Sequence, residues 1–377
     1  MYNISENAQM ALDTIHRKQI KGIPISFMNI MEHSIIERLA GASAGDYINN
    51  PIEVYIKMQR NIGVCMLDQF IPTNPLSMNS VGFDSNSTKG ATTGAQTVVV
   101  DGIVIDCPEA VVEHMEGYLI PSIIRAIKDF DETELIKSII TEEHVIQQSL
   151  GPEILKCGYG HLSFPVFHYG TYGYENYFCA YALYPEVINK IFTLQGELSN
   201  IRNKAVVKAY ISEELPLYQR LDFDMADSRG LLVNVNSLEH SWVPSFMHSI
   251  KPAVDAEFTL LWHCDGNLMK LIPYLIEAGV NGFQGFQYED GMDYIKISNL
   301  KAKNGQSMVI EAGVSVTREL PMGTPDDIVR QLKFLVENGP KTGLFLSLSS
   351  SCTPWTPFEN IKTAIEGMQY YKKNGRR

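Results

Sequence analysis

Short apolar runs alternate along the chain with longer stretches in which apolar residues return every three or four positions. The short runs occupy 23–29, 64–69, 164–168, 217–225, 257–264, 282–287, 308–313 and 343–348. Their Val, Ile, Leu and Phe content, bounded by polar or glycine-containing turns, predicts strands. Between most of them, as over 184–210, 268–278 and 325–338, the spacing is helical. Strand, turn and helix in repeated alternation predict a parallel α/β fold. Eight such strands are what a (β/α)8 TIM barrel requires.

Two segments interrupt the alternation. Residues 1–21 predict an N-terminal helix packed outside the barrel. Residues 72–110, after the second strand, are turn-rich and contain QTVVVDGIVIDCP, two β-prone runs joined at Asp101-Gly102. Asp-Gly between such runs is a hairpin signal, so this insertion is expected over the barrel mouth. Nothing resembles a linker, and residues 1–377 read as a single domain.

Composition narrows the function. With 43 acidic and 31 basic residues the net charge is −12, which lacks the basic footprint of nucleic-acid binding. The basic run at Lys372, Lys373, Arg376 and Arg377 reads as a solvated tail. No stretch reaches the ~20 apolar residues of a membrane span. The first 22 residues have no apolar run suited to a signal peptide. Six cysteines without CxxC spacing suit reduced thiols, so a cytoplasmic location is expected.

In a barrel of this kind chemistry sits at the C-terminal strand ends. Those ends carry Asn29 and Glu32, Asp68 and Gln69, His168 and Tyr169, then Asp222, Asp224, Asp227 and Arg229. They continue with His263 and Asp265, with Gln284, Gln287 and Glu289, with Glu311, and with a serine run before Cys352. Polar groups gathered at one end of apolar strands are the mark of a binding cavity. Within WHCDGN (262–267), alternation puts His263 and Asp265 on one face and Cys264 on the other. Imidazole, carboxylate and the distant Cys352 thiolate would form an N/O/S set for Zn2+. A competing reading has His263 and Asp265 bonded to each other and to the turn at Gly266, with Cys352 a small buried thiol. Asp224 and Asp227 are candidates for acid–base work or for a helix cap and a surface loop. His168, among tyrosines, is a pocket wall or ordinary core. GATTGA at 90–95 lacks the strand-to-helix context of a phosphate loop.

Several motifs in order resemble the uroporphyrinogen decarboxylase superfamily over residues 22 to 370. They are GVCMLDQF, HYGTYGYENYFCAYALYPEVINKIF, DMADSRG, WHCDGN, GVNGFQGFQ, ELPMGTPDDI and CTPWTPFENIKTAIEGMQYY. The chain is most similar to the cobamide-dependent methyltransferase branch, which includes the methylcobamide:coenzyme M methyltransferases. That resemblance implies methyl transfer between a corrinoid (methylcobamide) protein and a thiol or similar small acceptor. In that branch zinc is held by a His-x-Cys pair and a distant Cys, and it activates the thiol. Carried over residue by residue, His263 and Cys352 match the first and last ligands, while Asp265 stands where the branch has Cys. A further ligand would come from near Gln287 or Glu289. From the strand-end set, Asp68, His168, Asp224 and Asp227 are the candidate catalytic residues. Asn29, Tyr169, Gln284 and Gln287 are the candidate cofactor contacts. Asp68 also matches the aspartate that meets pyrrole nitrogens in the decarboxylases, but FMNIMEHS (27–34) has none of the arginines that hold substrate carboxylates there. Decarboxylation of a small acid and non-catalytic cobamide or tetrapyrrole binding are the alternative readings. A homodimer is compatible with all of them.

Overall fold

A computed structural model describes residues 4–73 and 98–376. Its centre is a six-stranded, wholly parallel sheet. In spatial order the strands are Leu344–Leu348, Val309–Val314, Gly282–Gln284, Thr259–His263, Tyr218–Asp222 and Gly158–Tyr159. Sequences such as TLLWH and LFLSL are buried throughout, as expected where a parallel sheet is covered on both faces. Helices return the chain between strands, including Pro185–Ser212, Val235–Asp255 and Pro325–Asn338. The sheet therefore has the layout of a half-barrel, compatible with a TIM-like fold.

Further parallel pairings extend this arc. Met66–Leu67 pairs with Leu155–Lys156, and isolated bridges join Ile25 to Leu346 and Ser26 to Met66. Residues 155–159 thus occupy the place expected for 164–168. Gly158 can lie there because its missing side chain leaves room for the amide of Gln219. Residues 164–168 form no strand. Their rings serve the helix layer instead, Phe164 packing on Trp262 and Phe246 at 5.4 and 5.7 Å. Trp242 stacks on Phe246 at 4.4 Å in the same layer.

The N-terminal helix, Glu6–Ile15, starts at Ser5, whose side chain accepts from the Ala8 amide. Its buried face, Ala8, Ala11 and Ile15, packs with Met66, Leu155, Tyr218, Leu261, Val309 and Phe345. These are inward-facing residues near the strand starts, so the helix covers that end of the fold. Val98–Val100 and Ile103–Ile105 pair antiparallel across Asp101-Gly102, both at positive φ. His114 braces the turn, with ring nitrogens 3.0 Å from Asp101 Oδ2 and 3.0 Å from the Tyr172 hydroxyl. The rest of the turn-rich segment, including GATTGA, lies outside the described residues. Among the described residues no helix is long and apolar enough to cross a membrane.

Candidate active site

Strand register brings the polar ends together. Asp222 lies beside His263, His263 beside Gln284, and Gln284 beside Glu311. Alternation then sorts each strand by face. Tyr218, Arg220 and Asp222 share the inner side, as do Leu261 and His263, whereas Trp262 and Cys264 join the core beneath the helices. The Met225 amide donates to the Cys264 sulfur at 3.3 Å, and burial pushes that thiol up to about 12.

Above the apolar inner layer lies a charged one. Arg220 Nη2 donates to Asp222 Oδ2 at 3.0 Å, and Nη1 sits 3.7 Å from Asp68 Oδ2. The Tyr218 hydroxyl donates to Glu311 Oε1 at 2.7 Å. Burial raises both Asp68 and Glu311, with Arg220 opposing the rise in each. Over this layer opens a cavity of about 350 Å3, lined by Asn29, Gln69, Tyr159, Arg220, Asp222, His263 and Gln284, with Ser350 and Ser351 at its edge.

Beside the cavity, Asp224, His263 and Asp265 each offer a ligand atom within 4.8 Å of the others. The Asp265 amide donates to Asp224 Oδ1 at 2.9 Å, tying the two loops. Gly266 makes the tie possible: its φ is +83°, and a Cβ there would meet the Asp227 backbone oxygen at 2.7 Å. Burial, reinforced by Arg220, pulls His263 down to about 4, so the imidazole is neutral near pH 7. Burial and then Asp224 and Asp222 push Asp265 up to about 7. Among the described residues, Nδ1 of His263 and Oδ1 of Asp265 are buried without hydrogen-bond partners. A neutral imidazole with crowded carboxyls and unused lone pairs is a donor set that a divalent cation satisfies. The residues present fit a metal.

The thiol expected as third ligand is not in this group. The Cys352 amide donates to the Asn29 carbonyl at 2.8 Å, and its side chain is buried near Thr356, with burial pushing it up to about 11. Its neighbour Ser351 takes the cavity side, where Oγ accepts from Asn29 Nδ2 at 2.7 Å. Along an extended segment adjacent side chains oppose each other, so Ser351 faces the mouth and Cys352 turns away. Asp224 completes the trio in its place.

The other expected residues divide between the cavity and its frame. Asn29 and Gln284 line the cavity. Asp68 lies below it, with Oδ1 accepting from the Gln69 amide at 2.6 Å. Gln287 accepts from the Gly266 amide at 2.7 Å and shapes the turn after Asp265. Tyr169 donates to the Asp224 carbonyl at 3.0 Å and stacks near Phe223. His168 is held by Gln195 at 2.8 Å, away from the cavity lining. Asp227 pairs with exposed Arg229 at 2.6 Å, and Glu289 accepts from Ser315 Oγ at 3.2 Å. Sequence reasoning missed Arg220 and Tyr159. For Arg220 the available signal was a cation inside the strand YQRLD, where a buried charge demands partners.

Compared with family models and with curated proteins, the sequence gives no match. Among solved structures the chain is similar to a methyltransferase from Methanosarcina mazei. The TM-score is 0.55 and the identity 16 %, over 97 % of this chain and 98 % of that one. A B12-independent methionine synthase from Shewanella sp. W3-18-1, in complex with selenomethionine, aligns at TM-score 0.27 and 12 % identity. That alignment covers 48 % of this chain and 54 % of the other. The first likeness supports the fold; the second is too slight to bear on it.

Proposed function

We propose that the chain is a cytoplasmic, single-domain enzyme that moves a methyl group from a corrinoid protein to a small thiol or similar acceptor. The observation that carries the reading is the trio Asp224, His263 and Asp265, in which the buried His263 Nδ1 and Asp265 Oδ1 have no hydrogen-bond partner among the described residues. In support stand the fold likeness to the Methanosarcina mazei methyltransferase and the motifs shared with the cobamide-dependent branch. We take the fold to close as an eight-stranded barrel, residues 23–30 being the first strand and 155–159 the third, in keeping with the bridges at Ile25 and Ser26.

His263, Asp265 and Asp224 would hold Zn2+, and the metal when bound lowers the pKa of a thiol acceptor. The remaining work falls to the chain itself. Asp222 Oδ1, 3.9 Å from His263 Nε2, is placed to take the thiol proton. The corrinoid, when presented by its partner, would supply the methyl group, and the cavity residues would hold the acceptor sulfur towards it. Tyr169 and Gln287 fix the loops that carry Asp224 and Asp265. A cavity of about 350 Å3 is at the small end for ligand sites and suits an acceptor better than a tetrapyrrole.

Metal analysis of protein purified without chelator tests the reading. Wild type and Cys352→Ser should carry close to one zinc per chain, while His263→Ala and Asp265→Asn should lose it together with thiol-dependent methylcobalamin turnover. A metal-free wild type, with turnover untouched in His263→Ala, would refute it.

A further inference from the structure

Arg220 is a buried cation whose bonding is incomplete. It is 5 % exposed and lines the cavity. Nη2 is satisfied by Asp222 at 3.0 Å, but among the described residues Nε and Nη1 have no hydrogen-bond partner, Nη1 meeting Asp68 Oδ2 only as an ion pair at 3.7 Å. Leaving charged donors buried and unmet is costly, and guanidinium groups retained at such positions commonly hold anions. The cavity also carries unmet acceptors. Among the described residues, the buried Asn29 Oδ1 and Gln284 Oε1 have no hydrogen-bond partner, although the amide nitrogen of each is bonded, to Ser351 and to the Ser349 carbonyl. One wall therefore lacks an acceptor and the other lacks donors. Among the described residues of the lining, Arg220 and Asp222 are the charged ones, one of each sign.

We propose that Arg220 is the specificity-determining residue for a small carboxylic acid that also carries a hydroxyl or amino group. The carboxylate lies against Arg220, and the donor group reaches Asn29 Oδ1 and Gln284 Oε1. The cavity volume of about 350 Å3 limits the ligand to a small molecule. This deepens the methyl-transfer reading and rests on it for the claim that the acceptor is such an acid bearing a thiol as well; the binding claim stands alone.

Calorimetric titration with matched probes tests it: lactate and alanine against lactamide, which lacks the carboxylate, and propionate, which lacks the donor. Lactate or alanine should bind roughly tenfold or more tightly than either control, the scale of one lost charge-assisted hydrogen bond. Arg220→Lys should abolish the preference over lactamide. Should that variant fail to fold, the wild-type comparison and Asn29→Asp, which places a negative charge in the cavity and should weaken the acids selectively, still decide. Equal binding of lactate and lactamide, or no binding of either acid at saturating concentration, overturns the proposal. Each titration is repeated after chelation. Acid preference that survives metal removal supports Arg220, whereas preference that vanishes with the metal assigns the carboxylate to the metal and overturns it. A protein that binds the acids but never holds zinc sinks the methyl-transfer reading and leaves this one standing.

Discussion

Replacing Gly266 with Ala tests how tightly the two loops of the candidate metal site are joined. The residue sits at φ +83°, and its added Cβ would lie 2.7 to 2.8 Å from the oxygen, carbonyl carbon and Cα of Asp227. All three are backbone atoms, so no side chain can swing aside. A left-handed conformation costs a non-glycine residue roughly 1–2 kcal/mol, and overpacking adds about 1–3 kcal/mol. The substitution should therefore destabilise by about 2–5 kcal/mol if the loops hold. If they yield, the strain instead moves Asp265 relative to Asp224 and His263. Gly160→Ala is the control, because its φ is +74° with nothing within 4 Å of the added atom. It should show only the conformational cost. Urea unfolding with zinc content measured on the same samples distinguishes the outcomes. If Gly266→Ala matches Gly160→Ala in both stability and zinc, the close approach and its role in the site are wrong.

Two further outcomes follow from the same geometry. Burial, then Asp68, pushes Glu311 up to about 7 from an ordinary 4.5. The folded state thus binds this proton more tightly than the unfolded state, and the contribution present below pH 4.5 is lost as pH rises through 7; Glu311→Gln should flatten that part of a stability–pH profile, and an unchanged slope counts against it. Thr324 caps the helix Pro325–Asn338 in a capping box with Asp327, so Thr324→Ala should cost about 0.5–2 kcal/mol in denaturant titrations, a cost that Thr324→Ser should largely restore.

How much of this was legible in the sequence depended on how local the cause was. The helix over 325–338 was readable to the residue, because Thr324-Pro325 starts it and Gly339 follows its end. The shared face of His263 and Asp265 followed from the two-residue period alone. The strand expected at 164–168 was misplaced because 155–159 is short and mixes Lys, Cys and Gly, whereas FPVFH looked more strand-like and proved to be ring packing. Cys352 was expected at the metal from both the strand-end set and the resemblance, but its side chain lies outside the trio, Ser351 taking the cavity side one position earlier. Arg220 escaped notice because its meaning lies in Asp68 and Asp222, and only the first of these is far away in the chain; contact across strands is invisible to spacing.

The helix Glu6–Ile15, lying over the strand starts, has a consequence for traffic. With Ala8, Ala11 and Ile15 packed over the strand starts, that end of the inner layer is covered, while the cavity beside His263 lies at the opposite ends of the strands. Under the proposed function, acceptor and methyl-bearing partner would then approach from the same side and have to take turns there.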